Sequence, residues 1–176
     1  MRGWRSGVLV ALLAVGTMLT VSVASAAAQT SGSETLTGVL VASGTSGERS
    51  VVSGQVVASG VFTGGGHIVE VDSQPGDPDN VNRDDLVFPD GTMHLVSTLL
   101  SVAIFVDPRT CVITVTIEQS GVISGGTGRF AAASGSFTGT FTGHGLARRN
   151  PDRSCSEEQT PLIEVARFDE SGTLTF

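Results

Sequence analysis

The chain contains no lysine and no tyrosine, and its single tryptophan, Trp4, stands near its start. Its ten basic residues are all arginines, set against seventeen acidic ones, and the net charge is −7. An acidic chain without a basic cluster is repelled by nucleic acid and by anionic lipid, so neither is an expected partner. Arg148, Arg149 and Arg153 form the one local basic group, and Asp152, Glu157 and Glu158 beside them mark a solvated loop. Proline is limited to six residues in loop-like stretches. From residue 30 onward no window carries a sustained helical stripe, which points away from helical architectures. Hydrolytic motifs are missing as well: there is no G-x-S-x-G elbow, no H-E-x-x-H and no C-x-x-C.

Residues 1–28 have the grammar of a secretory leader. Arg2 and Arg5 precede an apolar run from Val8 to Val21, and Ala24-Ser25-Ala26-Ala27-Ala28 fits an A-x-A cleavage site. The run is shorter than the roughly 20 residues of a bilayer-spanning helix. Residues 29–176 are then one exported domain, free of the membrane after cleavage, with a charge near −9 because both lost charges are arginines. An outer-membrane barrel needs aromatic girdles, and residues 29–176 hold neither Tyr nor Trp.

Two cysteines remain, Cys111 and Cys155. In an exported chain an even pair is most simply a disulfide. By chain entropy it would contribute roughly 4 kcal/mol.

What is abundant is glycine, 23 residues, among short runs of Val, Thr and Phe bounded by turn formers. That is the pattern of a β-sandwich or barrel. The clearest instance is Ile123-Ser124-Gly125-Gly126-Thr127-Gly128-Arg129-Phe130 through Ser136, a turn leading into Phe137-Thr138-Gly139-Thr140-Phe141-Thr142-Gly143. Strands are expected near Glu34–Ala42, Ser50–Ser59, Gly66–Val71, Thr92–Val106, Cys111–Gln119, Ser136–Gly143, Leu162–Phe168 and Thr173–Phe176, with a weaker one at Leu86–Phe88. In the sixth, Phe137 and Phe141 share a face with Gly139 between them, which suggests a close approach or bend. Thr92–Val106 is apolar on both faces and reads as a long central strand, so Leu99 and Phe105 are candidates to fill an interior with Phe137 and Phe141.

Residues Asp72–Asp85 read as a polar loop. Asp77, Asp79, Asn80, Asn82, Asp84 and Asp85 carry the oxygen ligands calcium uses, but not in the D-x-[DN]-x-[DN]-G order; a solvated acidic loop is favoured. His67, His94 and His144 share no spacing that would gather a metal, and rim or surface positions are expected. Glu70, Glu118, Glu164 and Arg167 lie within or at the ends of strands, where any that faced an interior would need a partner. Gly125-Gly126-Thr127-Gly128 lacks the lysine of a phosphate-binding loop, so no cofactor is expected.

The run Gly125, Gly126, Thr127, Gly128, Arg129, Phe130, Ala131, with Ser134 and Gly135, resembles the segment shared by allene oxide cyclase-like and dirigent-like proteins, in particular their exported bacterial members. The resemblance is strong over about Leu95–Gly145 and diffuse elsewhere. It implies an all-β fold, a single antiparallel eight-stranded barrel of calycin-like shape. It attaches to a turn and a strand, so no catalytic residue is carried over. Three roles follow as expectations: a secreted barrel that binds a small apolar ligand, an isomerase or cyclase that acts by positioning its substrate, or a ligand-free extracellular interaction domain.

Overall fold

A computed structural model of the protein describes residues 29–44, 48–156 and 159–176; the leader read in residues 1–28 lies outside them. Eight strands run in chain order: β1 (Ser31–Ser43), β2 (Ser50–Gly60), β3 (Gly64–Val71), β4 (Val81–Phe88), β5 (Gly91–Val106), β6 (Val112–Gly126), β7 (Ser134–Leu146) and β8 (Ile163–Thr175). Each pairs antiparallel with the next, and β8 returns to β1, which closes the barrel and removes the sheet edges. Ser31 to Ser43 pair with Thr175 to Ile163 without a break. The expected closed eight-stranded antiparallel barrel is the fold observed.

The largest differences from the sequence expectation lie at three places. The segments Leu162–Phe168 and Thr173–Phe176 are one strand, because Asp169-Glu170-Ser171-Gly172 continues the ladders to β1 and β7. The last five residues of the supposed loop Asp72–Asp85 belong to β4, where Val81–Asp85 pairs with β5. Strand β6 runs to Gly126 rather than Gln119. In each case ladder bonding overrode polar or glycine composition that reads locally as a turn.

The interior is filled in layers read across the register. One layer holds Gly60, Glu34, Gly172, Phe137, Gly121 and Ser97 on β2, β1, β8, β7, β6 and β5. Glycines flank Glu34 and Phe137 on both sides, which makes room for these two large side chains in a narrow barrel. The next layer places Leu36, Glu170, Gly139 and Gln119 side by side.

One end of the barrel is closed. Phe62, Phe88 and Phe130 are buried there and meet edge-to-face or tilted, with centroids 5.0–5.8 Å apart. Phe176 joins them from the C-terminus, 5.6 Å from Phe130. Phe130 sits on a short 3-10 turn (Gly128–Phe130) in the β6–β7 connection, the glycine run singled out above. Gly128 adopts φ +57°, and a Cβ there would stand 2.4 Å from the Asp90 carbonyl oxygen, so conformation and space both require glycine. Arg129 lays its guanidinium 4.7 Å from the Phe176 ring centre and 5.5 Å from that of Phe62, covering the plug from outside.

Candidate ligand cavity

The other end is open, and its rim is uneven. Val81, the first residue of β4, pairs with Thr98, so β5 runs eight residues further with only β6 beside it as a strand. Asn80 holds the start of this stretch: its carbonyl accepts from the Leu99 N–H at 2.9 Å, and its amide donates to the Leu99 carbonyl at 3.1 Å. A register shift between Leu99 and Ser101 bends the strand there. Beyond it Leu100, Val102, Ile104 and Phe105 are exposed, Phe105 at 65 %. The long apolar strand therefore projects as a lip rather than filling the centre, and Phe105 is not an interior residue. Phe137 is buried and Phe141 half-buried, as their shared face required.

Below this lip lies a cavity of about 580 Å³. Its apolar wall is built by Leu95, Val115, Ile117 and Phe141, with Leu86 and Phe168 deeper. Val102 and Ile104 pair with Ile117 and Val115, so they continue the same face up the lip.

The opposite wall is charged. Glu70 on β3 and Glu164 on β8 both face the cavity, and Arg49 bridges them at 2.5 Å and 3.1 Å. Asp84 on β4 stands opposite Glu70 in register. Burial, with the carboxylates of Glu70 and Glu170 nearby, pushes Asp84 up to about 6. Glu170 on β8 is 2 % exposed. One of its oxygens accepts from the Gln119 amide at 2.5 Å, and the other has no hydrogen-bond partner among the described residues. Burial raises its pKa against that hydrogen bond. Glu34 is as deeply buried, below the cavity, where one oxygen accepts from the Phe62 backbone N–H at 2.9 Å.

No protein-family model, curated protein or solved structure matches the chain.

The residues singled out from sequence fall in different places. Glu70 and Glu164 face the cavity and have found their partner in Arg49. Glu118 and Arg167 lie on the outer face, paired with Ser101 and Asp169. His94 is also outside, bonded to Asp85 at 2.7 Å, and His144 lies 3.3 Å from Thr114. His67 is exposed on β3. The acidic stretch is dispersed: Asp77 takes a two-pronged bond from Arg83 at 2.8 Å, which holds its carboxyl down at about 2, while Asp84 faces inward and Asp85 outward. No group of three or more His, Cys, Asp or Glu among the described residues is placed to hold a metal.

Cys111 and Cys155 form the disulfide, with Cα atoms 5.3 Å apart. It ties the β7–β8 connection to the β5–β6 turn at the open end. Gly125 to Phe130 belong to the closed end, away from the cavity.

Glu170 and Arg49 were not singled out from sequence, and Asp84 was read only as part of an acidic loop, not as a cavity residue. Alternation could have found Glu170, since Ala166, Phe168 and Leu174 share its face. The same test applied to Leu86 and Phe88 finds Asp84. Arg49 stands outside any strand and carries no such signal.

Proposed function

We propose that the protein is a secreted carrier or receptor barrel that holds a small, largely apolar molecule. The observation that supports this best is a cavity closed below by the phenylalanine plug and open above beneath an apolar lip. A volume of about 580 Å³ falls within the roughly 300–1,000 Å³ of small-molecule sites. The disulfide suits an oxidising, extracellular setting. Among the described residues no helix is long and apolar enough to cross a membrane.

A second reading, an isomerase or cyclase of the allene oxide cyclase or dirigent type, draws on the sequence resemblance. Asp84 and Glu170 favour it, as carboxyl groups in the cavity wall that could exchange a proton with a bound substrate.

Native mass spectrometry of the protein purified from its own culture medium tests the carrier reading. A reproducible small molecule that organic extraction removes is the expected result. Bare protein, unable to take up any apolar probe, would overturn it.

A further inference from the structure

We propose that the cavity selects an amphipathic amine, with a protonated nitrogen at Asp84 and Glu170 and an apolar body against Leu95, Val115, Ile117 and Phe141. This rests on the ligand-holding role above and adds the chemical class of the ligand.

The charge of the cavity is one-sided. Five acidic side chains line the cavity, Glu70, Asp72, Asp84, Glu164 and Glu170, against two arginines. Both arginines are engaged. Arg49 is shared between Glu70 and Glu164, and Arg83 is held by both oxygens of Asp77. Asp84 makes no hydrogen bond or ion pair among the described residues. The cavity thus carries a negative surplus, which rejects carboxylate or phosphate ligands and favours a cation.

Glu170 supplies the second observation. It is 2 % exposed, lines the cavity, and keeps one oxygen without a donor. Gly121 lies beside that oxygen, and a Cβ there would come within 3.9 Å of it. A buried acceptor left without a donor is destabilising. Glu34, below the cavity, also keeps one oxygen without a donor among the described residues, but only Glu170 lines the cavity, where a ligand can supply one. An ammonium offers three N–H donors, and charge-assisted bonds to carboxylates are about twice as strong as neutral ones.

The groups facing Asp84 from neighbouring elements are Glu70, Glu170 and Arg49, with Asp85 next to it in the chain. Three of these four are acidic, so the field around Asp84 attracts cations once the carboxyls ionise.

The test uses three probes with the same ten-carbon body, decylammonium, decanol and decanoate. Binding to the exported, disulfide-bonded protein is measured by calorimetry below their micelle concentrations, at pH 7.5 and pH 5. Expected is one-to-one binding of decylammonium at least tenfold tighter than decanol, with decanoate weaker than both. The preference should shrink at pH 5, and Asp84→Asn should reduce it severalfold. Glu170→Gln should do the same; if it does not fold, Asp84→Asn at the cavity wall carries the test alone. Ile117→Trp, which fills the cavity, should abolish binding of all three.

Equal binding of the three probes would overturn the amine inference and leave the carrier reading standing. Decylammonium binding that survives Ile117→Trp would trace the preference to the acidic surface and overturn it too. Failure of all three to bind would overturn both.

Discussion

The Gln119 side chain reaches across Gly139 to donate a 2.5 Å hydrogen bond to Glu170. The three residues lie in one row on β6, β7 and β8, and only the missing side chain of the middle one lets the outer two meet. A Cβ on Gly139 would stand 2.1 Å from the Asp169 carbonyl oxygen and 2.7 Å from the Glu170 Cα. Gly139→Ala should therefore destabilise the protein by about 1–3 kcal/mol through overpacking. Gly65→Ala, which meets nothing within 4 Å, should be neutral or slightly stabilising. Urea unfolding of the two variants separates space from composition; equal losses would contradict the packing account.

Asp84 gives stability a specific dependence on pH. Its folded pKa of about 6 is above the ordinary carboxyl value, so the folded state binds the proton more tightly than the unfolded one. Its contribution therefore disfavours folding increasingly as pH rises from about 4 to 6, and fully above that. Asp84→Asn should stabilise the protein at pH 7.5 by on the order of 1–2 kcal/mol, allowing for solvent at the mouth, with no gain below pH 4. Denaturation midpoints across pH 3.5–8 check this; a gain that is the same at every pH would refute it.

Reduction of Cys111–Cys155 frees a connection of separation 44. The chain-entropy cost of losing that closure is about 4 kcal/mol. Urea midpoints with and without reductant should differ accordingly, and Cys111→Ser/Cys155→Ser should match the reduced protein. The Phe62, Phe88 and Phe130 plug at the other end stays packed in the native state, so near-ultraviolet dichroism of the folded fraction should persist after reduction.

Phe130 is fully buried in the plug, and Phe130→Ala should cost about 3–5 kcal/mol. Arg129→Ala removes exposed cation–π contacts to Phe176 and Phe62 and a loose surface pair with Asp90, and should cost about 0.5–1 kcal/mol. Thermal unfolding ranks the two. A reversed ranking would mean that the covering arginine, not the ring, holds the closed end.

Much of the architecture was legible from residues alone. Glycine-bounded runs of Val, Thr and Phe announced strands, and the Phe137/Gly139/Phe141 alternation announced their inner face, because period-two patterning is local and needs no knowledge of partners. The disulfide followed from an even cysteine count in a chain that begins like an exported one. Tertiary structure alone decided where β5 ends up. Its apolar residues read as core, yet β4 stops opposite Thr98, so Leu100 and Phe105 project into solvent as a lip. Tertiary structure also decided the site. Asp84 and Glu170 lie 86 positions apart in the numbering and look like surface charges in their own segments. Ring closure turns both into one cavity, where burial and shared negative field change what a carboxyl can do. Alternation tells which face a residue takes. Only the closed barrel tells which residues that face will meet.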